Sequence, residues 1–461
     1  MSLENITNSY HGGKKWIQIL KIKLMLAWGM HCDLCANLIE FIKNIITSEE
    51  FISRHRKSEK NFTRNRCLPF ASMIIFMMNL IKCALQVELD HFFQLINGSD
   101  LPERVASKAA FSMARKKIKY EAFVELCRKV ASFFYDHFPH KRWHGFRLMA
   151  VDGSTIKVPK VDEISDHFGV LNSPKGDPCP LARISHMFDV KNKITIDAVI
   201  SPFKQGERTL AASHFQLLKP FDLVLLDRGY PAFWLFTLIL SKMADFCARI
   251  GSSHLKIVRE FIKSGKREDI ITLKPDADAI KKCNTLGLPT KPIKLRLIRI
   301  DLPQGQHVVL ITSLLDTNLY PYEIFEELYR MRWPVEEDYK LMKCRIEIEN
   351  FSGKSVESVY QDFHAKVFTM NLAAALAHPA QQTVDEDNDR KYKYQVNMTH
   401  IMSIIKDTVV LLFTRSNISV LVRRLLDLFS KTVEPVRPDR KYPRNIKVNR
   451  KRFHLAYKPT R

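Results

Sequence analysis

The sequence predicts an α/β chain with a helical segment in front and a strand-rich insertion inside; three observations predict it. Residues 1–140 space their apolar side chains three and four apart and hold few glycines, the repeat of helices that bury one face. From Gly145 the texture changes to short apolar runs bounded by turn residues: GFRLMAVDGSTIKVP, ARISHMFDV, KITIDAVISPF and FDLVLLDRGYPAF, which have the length and flanks of strands. Between Asp245 and Ser313 come further short alternating runs, FCARI, DIITL, IKLRLIRIDL and HVVLITSLL, before helical spacing returns at Tyr320.

Each element has its own justification. Phe70–Leu85, FASMIIFMMNLIKCAL, is the most apolar stretch, but it is shorter than the roughly 20 residues of a membrane span and carries Asn79 and Lys82. It reads as a buried helix. Leu101–Leu126 reads as two short helices, the first capped from Ser99 and started at Pro102. Its Ser107, Lys108, Ser112, Arg115 and Lys116 either line a groove-reading helix or form the basic outer face of an amphipathic one. Gly145–Pro159 is a strand stopping at Asp152-Gly153-Ser154. Ala182–Val190 and Lys193–Phe203 are two strands joined by a tight Lys191-Asn192 turn, Gly206–Leu218 is a helix, and Phe221–Phe233 is a strand stopping at Asp227, Arg228 and Gly229. A three-strand meander, a helix and a further strand is the order of the ribonuclease H type of α/β fold, a likeness at fold level. After Ala380 the polar stretch QQTVDEDNDRKYKY reads as a loop, and Val396–Phe413 as a last helix.

The expected organisation is therefore a ribonuclease H-like core interrupted by a β-rich insertion and preceded by a helical domain. Residues 1–140 form the helical domain, expected to bind DNA ends, and 141–244 the first part of the core. The insertion is 245–313, the second part of the core 314–380, and a helix with a basic tail 381–461.

Charge narrows the partner. Lys and Arg number 72 against 49 Asp and Glu, a formal net of +23. The excess is concentrated: Val436–Arg461 holds ten Lys or Arg against one acid, Asp439, and Ser53–Arg66, SRHRKSEKNFTRNR, is a second basic run. A solvated tail and loop would explain either run alone, whereas two runs in so basic a chain point to a polyanion, nucleic acid being the commonest. The nine cysteines show no ladder of spacings and no signal peptide precedes Cys32, which fits a reducing cytoplasm. Cys32 and Cys35 form a single CxxC without the second ligand pair that a zinc site needs.

The acids carry the chemistry. Asp152 and Asp227 each follow an apolar strand and precede a glycine turn, and in open α/β sheets ligands gather at that edge. Either alone reads equally as a turn or cap residue. Two hard divalent cations bridging phosphate oxygens need about three converging carboxylates, so a third acid is expected on a packing helix. Glu336 in Tyr329–Lys343, YRMRWPVEEDYKLMK, answers the description. At about 100° per residue Tyr329, Arg332, Glu336 and Lys343 fall within a stripe of about 60°, and Pro334 can start the helical segment that bears Glu336. A solvated Arg332–Glu336 pair is the plainer reading of the same residues.

Tyr329, Arg332, Glu336 and Lys343 reproduce the spacing of the Y-R-E-K signature, and Asp152 in AVDGST and Asp227 in LLDRGY match its two aspartate motifs. The chain thus resembles the bacterial insertion-sequence transposases of the DDE class, in the family that carries this signature (insertion sequence family four). The likeness runs from about Arg66 to Arg437–Asn445, RPDRKYPRN. It implies a DNA transposase in which Asp152, Asp227 and Glu336 hold two Mg²⁺ or Mn²⁺ ions for strand cleavage at transposon ends and strand transfer into target DNA. It implies phosphate contacts from Tyr329, Arg332 and Lys343 and DNA contacts from Arg437, Arg440, Lys441 and Arg444. Trp333 offers a flat face to a base or sugar, or packs into the core. Double-stranded DNA with terminal inverted repeats, a homodimer in the synaptic complex and a cytoplasmic, nucleoid-associated location in a bacterium follow as expectations. Some relatives cut the second strand through a hairpin, flipping a base onto an aromatic. The strand His307–Ser313 has none, so a hairpin here would depend on Trp333. The rival readings are a catalytically inactive DNA-binding relative and a two-metal nuclease on the same fold, which would cut DNA without joining it.

Overall fold

The computed structural model describes residues 29–437 apart from 65, 174–175, 302–306 and 387–390. Apolar spacing folds the first part into helices: α1 (29–47), α2 (Glu49–His55), α3 (Phe70–Met78), α4 (Leu85–Asn97), α5 (Lys108–Arg115) and α6 (Glu121–His137). The apolar stretch from Phe70 is broken after α3, where the buried Asn79 brackets Asp407, accepting from its backbone N–H (2.6 Å) and donating to its carboxylate (3.1 Å). The α5 start lies further along than Ser99 and Pro102. Ser107 is the cap, accepting from Ala110 N–H at 3.1 Å, because its side chain reaches an orphan amide that Ser99 is too far upstream to meet.

The core strands follow in the order read from sequence. β1 (Arg147–Lys157), α7 (Asp162–Phe168), β2 (Val170–Ser173), β3 (Gly176–Asp189), β4 (Ile194–Pro202), α8 (Glu207–His214), β5 (Asp222–Leu226), α9 (Phe233–Ser241) and β6 (Asp245–Ile250) build one half of a sheet. β1 pairs antiparallel with β3 and β3 with β4, while β5 runs parallel to β1 and β6 parallel to β5. The β1–β5 register is pinned at its start by a buried two-point pair, Arg147 Nε and Nη2 donating to the two oxygens of Asp222 at 2.7 Å each.

Residues 245–313, expected as an insertion, differ in two ways. Their first strand, β6, belongs to the parallel core. The rest, α10 (Lys256–Lys263), β7 (Glu268–Leu273), α11 (Ala277–Thr285), β8 (Ile293–Asp301) and β9 (His307–Thr312), adds to the same sheet, because β9 pairs antiparallel with the free edge of β6. The order becomes β2-β3-β1-β5-β6-β9-β8-β7, with β4 on β3. An open edge presents unpaired amides and carbonyls, and this extension satisfies them.

α12 (Ile324–Arg330) and α13 (Pro334–Cys344) carry the Tyr329–Lys343 stretch, and Pro334 is the first residue of α13. α14 (Val356–Glu386) is buried almost throughout and packs against α3, α6, β4, α15 (Met398–Thr414) and α16 (Ser419–Lys431). It runs past Ala380 into the stretch expected as a loop. The polar residues there are structural: Gln381 donates to Tyr394 O (3.1 Å) and accepts from Val396 N–H (2.8 Å), fastening β10 (Lys393–Val396), which pairs with β11 (Val433–Val436). Arg115 at the end of α5 points inward to Asp362 (2.8 Å) and Gln361 (2.9 Å) of α14, so it does not line a groove-reading face. Among the described residues no helix is long and apolar enough to cross a membrane.

Candidate active site

Parallel pairing of β1 and β5 ends at Val151 opposite Leu226, so the next residue of each strand is an acid, Asp152 and Asp227. β1 does not stop at Asp152 as its glycine suggests; it runs on to Lys157, paired with β3 alone, so the Asp152 side chain stands where the sheet splits. Gly153 allows a close approach: a Cβ there would meet Glu207 Cγ at 3.3 Å and push against a side chain that is tied to Arg183 at 2.6 Å.

The α12–α13 stretch faces this edge. Tyr329 Oη donates to Asp227 Oδ1 at 3.1 Å. Arg332, buried, donates to Glu336 Oε1 at 2.6 Å and stands 4.0 Å from Asp152 Oδ2. Lys343 Nζ donates to Ser154 Oγ at 2.6 Å. The Arg332–Glu336 pair of the plainer reading exists, but it faces two aspartates rather than solvent. Trp333 is 46% exposed with Lys340 Nζ 5.3 Å over its ring, so its face is not core.

Electrostatics show crowded acids. Burial raises the Asp152 carboxyl to about 6, opposed by the Gly153 N–H and Arg332 and reinforced by Glu336 and Asp227. Burial also acts on Asp227, but the Arg228 N–H, Arg332 and Tyr329 outweigh it and hold its carboxyl below the usual range. Burial lowers the Lys343 ammonium.

Among the described residues no three His, Cys, Asp or Glu lie close enough to form a metal cluster as they stand. The donor chemistry nevertheless fits a hard divalent cation: carboxylate oxygens from neighbouring strand positions, one of them raised by burial and, to a lesser degree, by the other two acids. Arg332 supplies the positive charge among the three acids.

The sequence left three contributors unread. Tyr339 Oη (2.7 Å) and Ser185 Oγ (3.2 Å) both donate to the main-chain oxygen of Asp152, and Ser154 holds Lys343. Tyr339 lies three residues after Glu336, the helical neighbour spacing, and that signal was available. Ser185 had none, since only strand register brings it opposite Gly153. Among the basic tail residues, Arg437 is exposed, while Arg440, Lys441 and Arg444 lie outside the described residues. In the second basic run Arg54, Arg56 and Lys57 are spent on ion pairs with glutamates, whereas Lys60, Arg64 and Arg66 line a cleft of about 540 Å³ with Lys117 and the exposed Met113.

The transposase DDE domain family matches residues 143–372, which include all three acids and the whole Tyr329–Lys343 stretch. Transposase InsG for insertion sequence element IS4 of Escherichia coli (strain K12) is 24% identical over 365 residues, 74% of this chain and 80% of that protein. The putative transposase InsZ of the same organism is 27% identical over 88 residues, 19% of this chain and 29% of that one. A cryo-EM structure of the piggyBac transposase synaptic complex with hairpin DNA is similar at a TM-score of 0.43 and 10% identity over 87% of each chain, too low for any conclusion. The matched domain makes the protein a DNA transposase of the DDE class, an enzyme that cleaves DNA and transfers strands with divalent metal. Within that class the chain is similar to the transposase of insertion sequence IS4.

Proposed function

We propose that Asp152, Asp227 and Glu336 hold two Mg²⁺ or Mn²⁺ ions, and that the chain uses them to cleave at the terminal repeats of its own element and to join the freed 3′-OH to target DNA. The observation that carries this reading is the reach of Tyr329 and Arg332, from α12 and the turn into α13, to Asp227, Asp152 and Glu336. The strand order β4-β3-β1-β5-β6, antiparallel then parallel, supports reading this half of the sheet as a ribonuclease H-like core.

Bound cations would supply Lewis-acid activation of the attacking oxygen and charge relief at the leaving one. The protein's own residues do the rest. Arg332, whose Nε has no partner among the described residues, is free to turn part of its planar fork to a phosphate once cations neutralise the acids. Lys343, held by Ser154, adds a point charge. Tyr329 fixes Asp227 by its hydroxyl. Trp333 gives an exposed face on which a flipped base stacks, and Lys60, Arg64 and Arg66 with the tail from Arg437 bind the duplex backbone. Synapsis by a homodimer and a cytoplasmic, nucleoid-associated location are carried over from the family resemblance.

The test is single substitution of the acids. Asp152→Ala, Asp227→Ala and Glu336→Ala should each abolish Mg²⁺-dependent cleavage of end-containing DNA in a nicking gel while end binding in a mobility-shift assay persists. Near-normal cleavage by any one removes that residue from the metal site.

A further inference from the structure

Beneath the strand that carries Asp152, side chains from four elements form an unbroken polar chain. Arg128 of α6 donates to Asp197 of β4 at 2.9 Å. Asp197 Oδ2 meets His214 Nδ1 of α8 at 2.8 Å, and His214 Nε2 meets Ser185 Oγ of β3 at 3.1 Å. Ser185 Oγ then reaches the main-chain oxygen of Asp152 at 3.2 Å. Asp197, His214 and Ser185 are all buried.

Counting protons gives the chain a direction. A serine hydroxyl has one proton, and a carbonyl oxygen can only accept, so the Ser185 proton goes to Asp152 O. Ser185 Oγ must then accept from His214 Nε2–H. Burial opposes it, but His214 and Arg128 hold the Asp197 carboxyl below its usual range, and its Oδ2 anchors the Nδ1 side of the ring. Both ring nitrogens are thereby engaged, Nδ1 with Asp197 and Nε2 with Ser185, which fixes the orientation of the His214 ring.

The peptide that receives this bond also holds the acid. The Asp152 carbonyl and the Gly153 N–H belong to one rigid plane, and that N–H donates to Asp152 Oδ1 at 2.9 Å. Fixing the carbonyl by Ser185 and Tyr339 therefore sets the carboxylate. We infer that Ser185 and His214 are positioning residues for the transposition chemistry, orienting the Asp152 carboxylate through its own peptide plane. The inference rests on the reading of Asp152 as a metal ligand.

The experiment uses full-length protein with end-containing duplex and Mn²⁺, measuring kcat for nicking, end-DNA Kd, Mn²⁺ binding by electron paramagnetic resonance, and thermal melting. Ser185→Ala and His214→Ala should each lower kcat and weaken Mn²⁺ binding by about tenfold, with end-DNA affinity unchanged. The double variant should lose no more than either single one, since both break the same chain. His214→Gln, which keeps a donor toward Ser185, should recover most of the loss. Additive losses, or a lower melting temperature with undiminished cleavage, overturn the inference. Asp152→Ala separates the two claims. If it is inactive while Ser185→Ala, the near-isosteric change, behaves as wild type, only the positioning role falls; if it still cleaves, the metal-ligand reading falls first.

Discussion

Asp152, proposed above as a metal ligand, carries a cost to stability. In metal-free protein its proton is held more tightly folded than unfolded, up to about 6. Stability contributed here therefore falls as pH rises from the ordinary aspartate range to about 6, and the penalty is complete above that. Asp152→Asn should stabilise the chain in EDTA at pH 7.5 by on the order of 1 kcal/mol and do nothing at pH 4, as read by chemical denaturation. Equal effects at both pH values would mean that charge is not the cause. Trp333 is a second residue-scale case. Its exposed ring can return about 1–3 kcal/mol by stacking against the few kcal/mol of flipping a base. Trp333→Ala should therefore remove any hairpin seen as a double-length strand on a denaturing gel, and abundant hairpin from that variant would dismiss the residue. The Asp, Glu, Tyr, Arg and Lys positions were legible in sequence because their spacing is local or follows a strand. Ser185 and His214 were not, because they lie 33 and 62 positions along the chain from Asp152; sheet register brings Ser185 to it, and helix packing brings His214 to Ser185.

At the scale of elements, two devices place the acids. The first is the Arg147–Asp222 pair, which fixes β1 and β5 in register five steps before the two aspartates. Removing one partner of a buried pair strands the other charge and costs about 3–5 kcal/mol. Asp222→Ala should lower the urea midpoint accordingly and depress cleavage, whereas a neutral result would mean that hydrophobic strand packing sets the register unaided. The second is the break between α12 and α13. Pro334 lacks the amide that would continue α12, yet it suits a first helical turn, so the chain restarts there with Glu336 in that turn. Strand boundaries were less legible than strands. β1 outran its glycine because β3 still offered partners, and α14 outran Ala380 because Gln381 had a strand to fasten.

Across the whole molecule the formal net charge of +23 is unevenly used. Part of the basic run at Arg54–Lys57 is neutralised by glutamates, while Lys60, Arg64 and Arg66 line an open cleft. Deleting Val436–Arg461 should weaken end binding and flatten the dependence of log Kd on log salt, by about 0.9 for each phosphate that the tail no longer neutralises. An unchanged slope in fluorescence anisotropy would make the tail a bystander. The sequence by itself determined the α/β character, the order of the core strands and the restart at Pro334, since each depends on neighbours within one turn or one strand. Only the tertiary structure decided that residues 245–313 extend the same sheet, that Arg115 is buried, and that Arg332 stands among three carboxylates. Those outcomes turn on which edge is left unpaired and which charge lies within about 4 Å of another, and residues far apart in the chain carry no local mark of either.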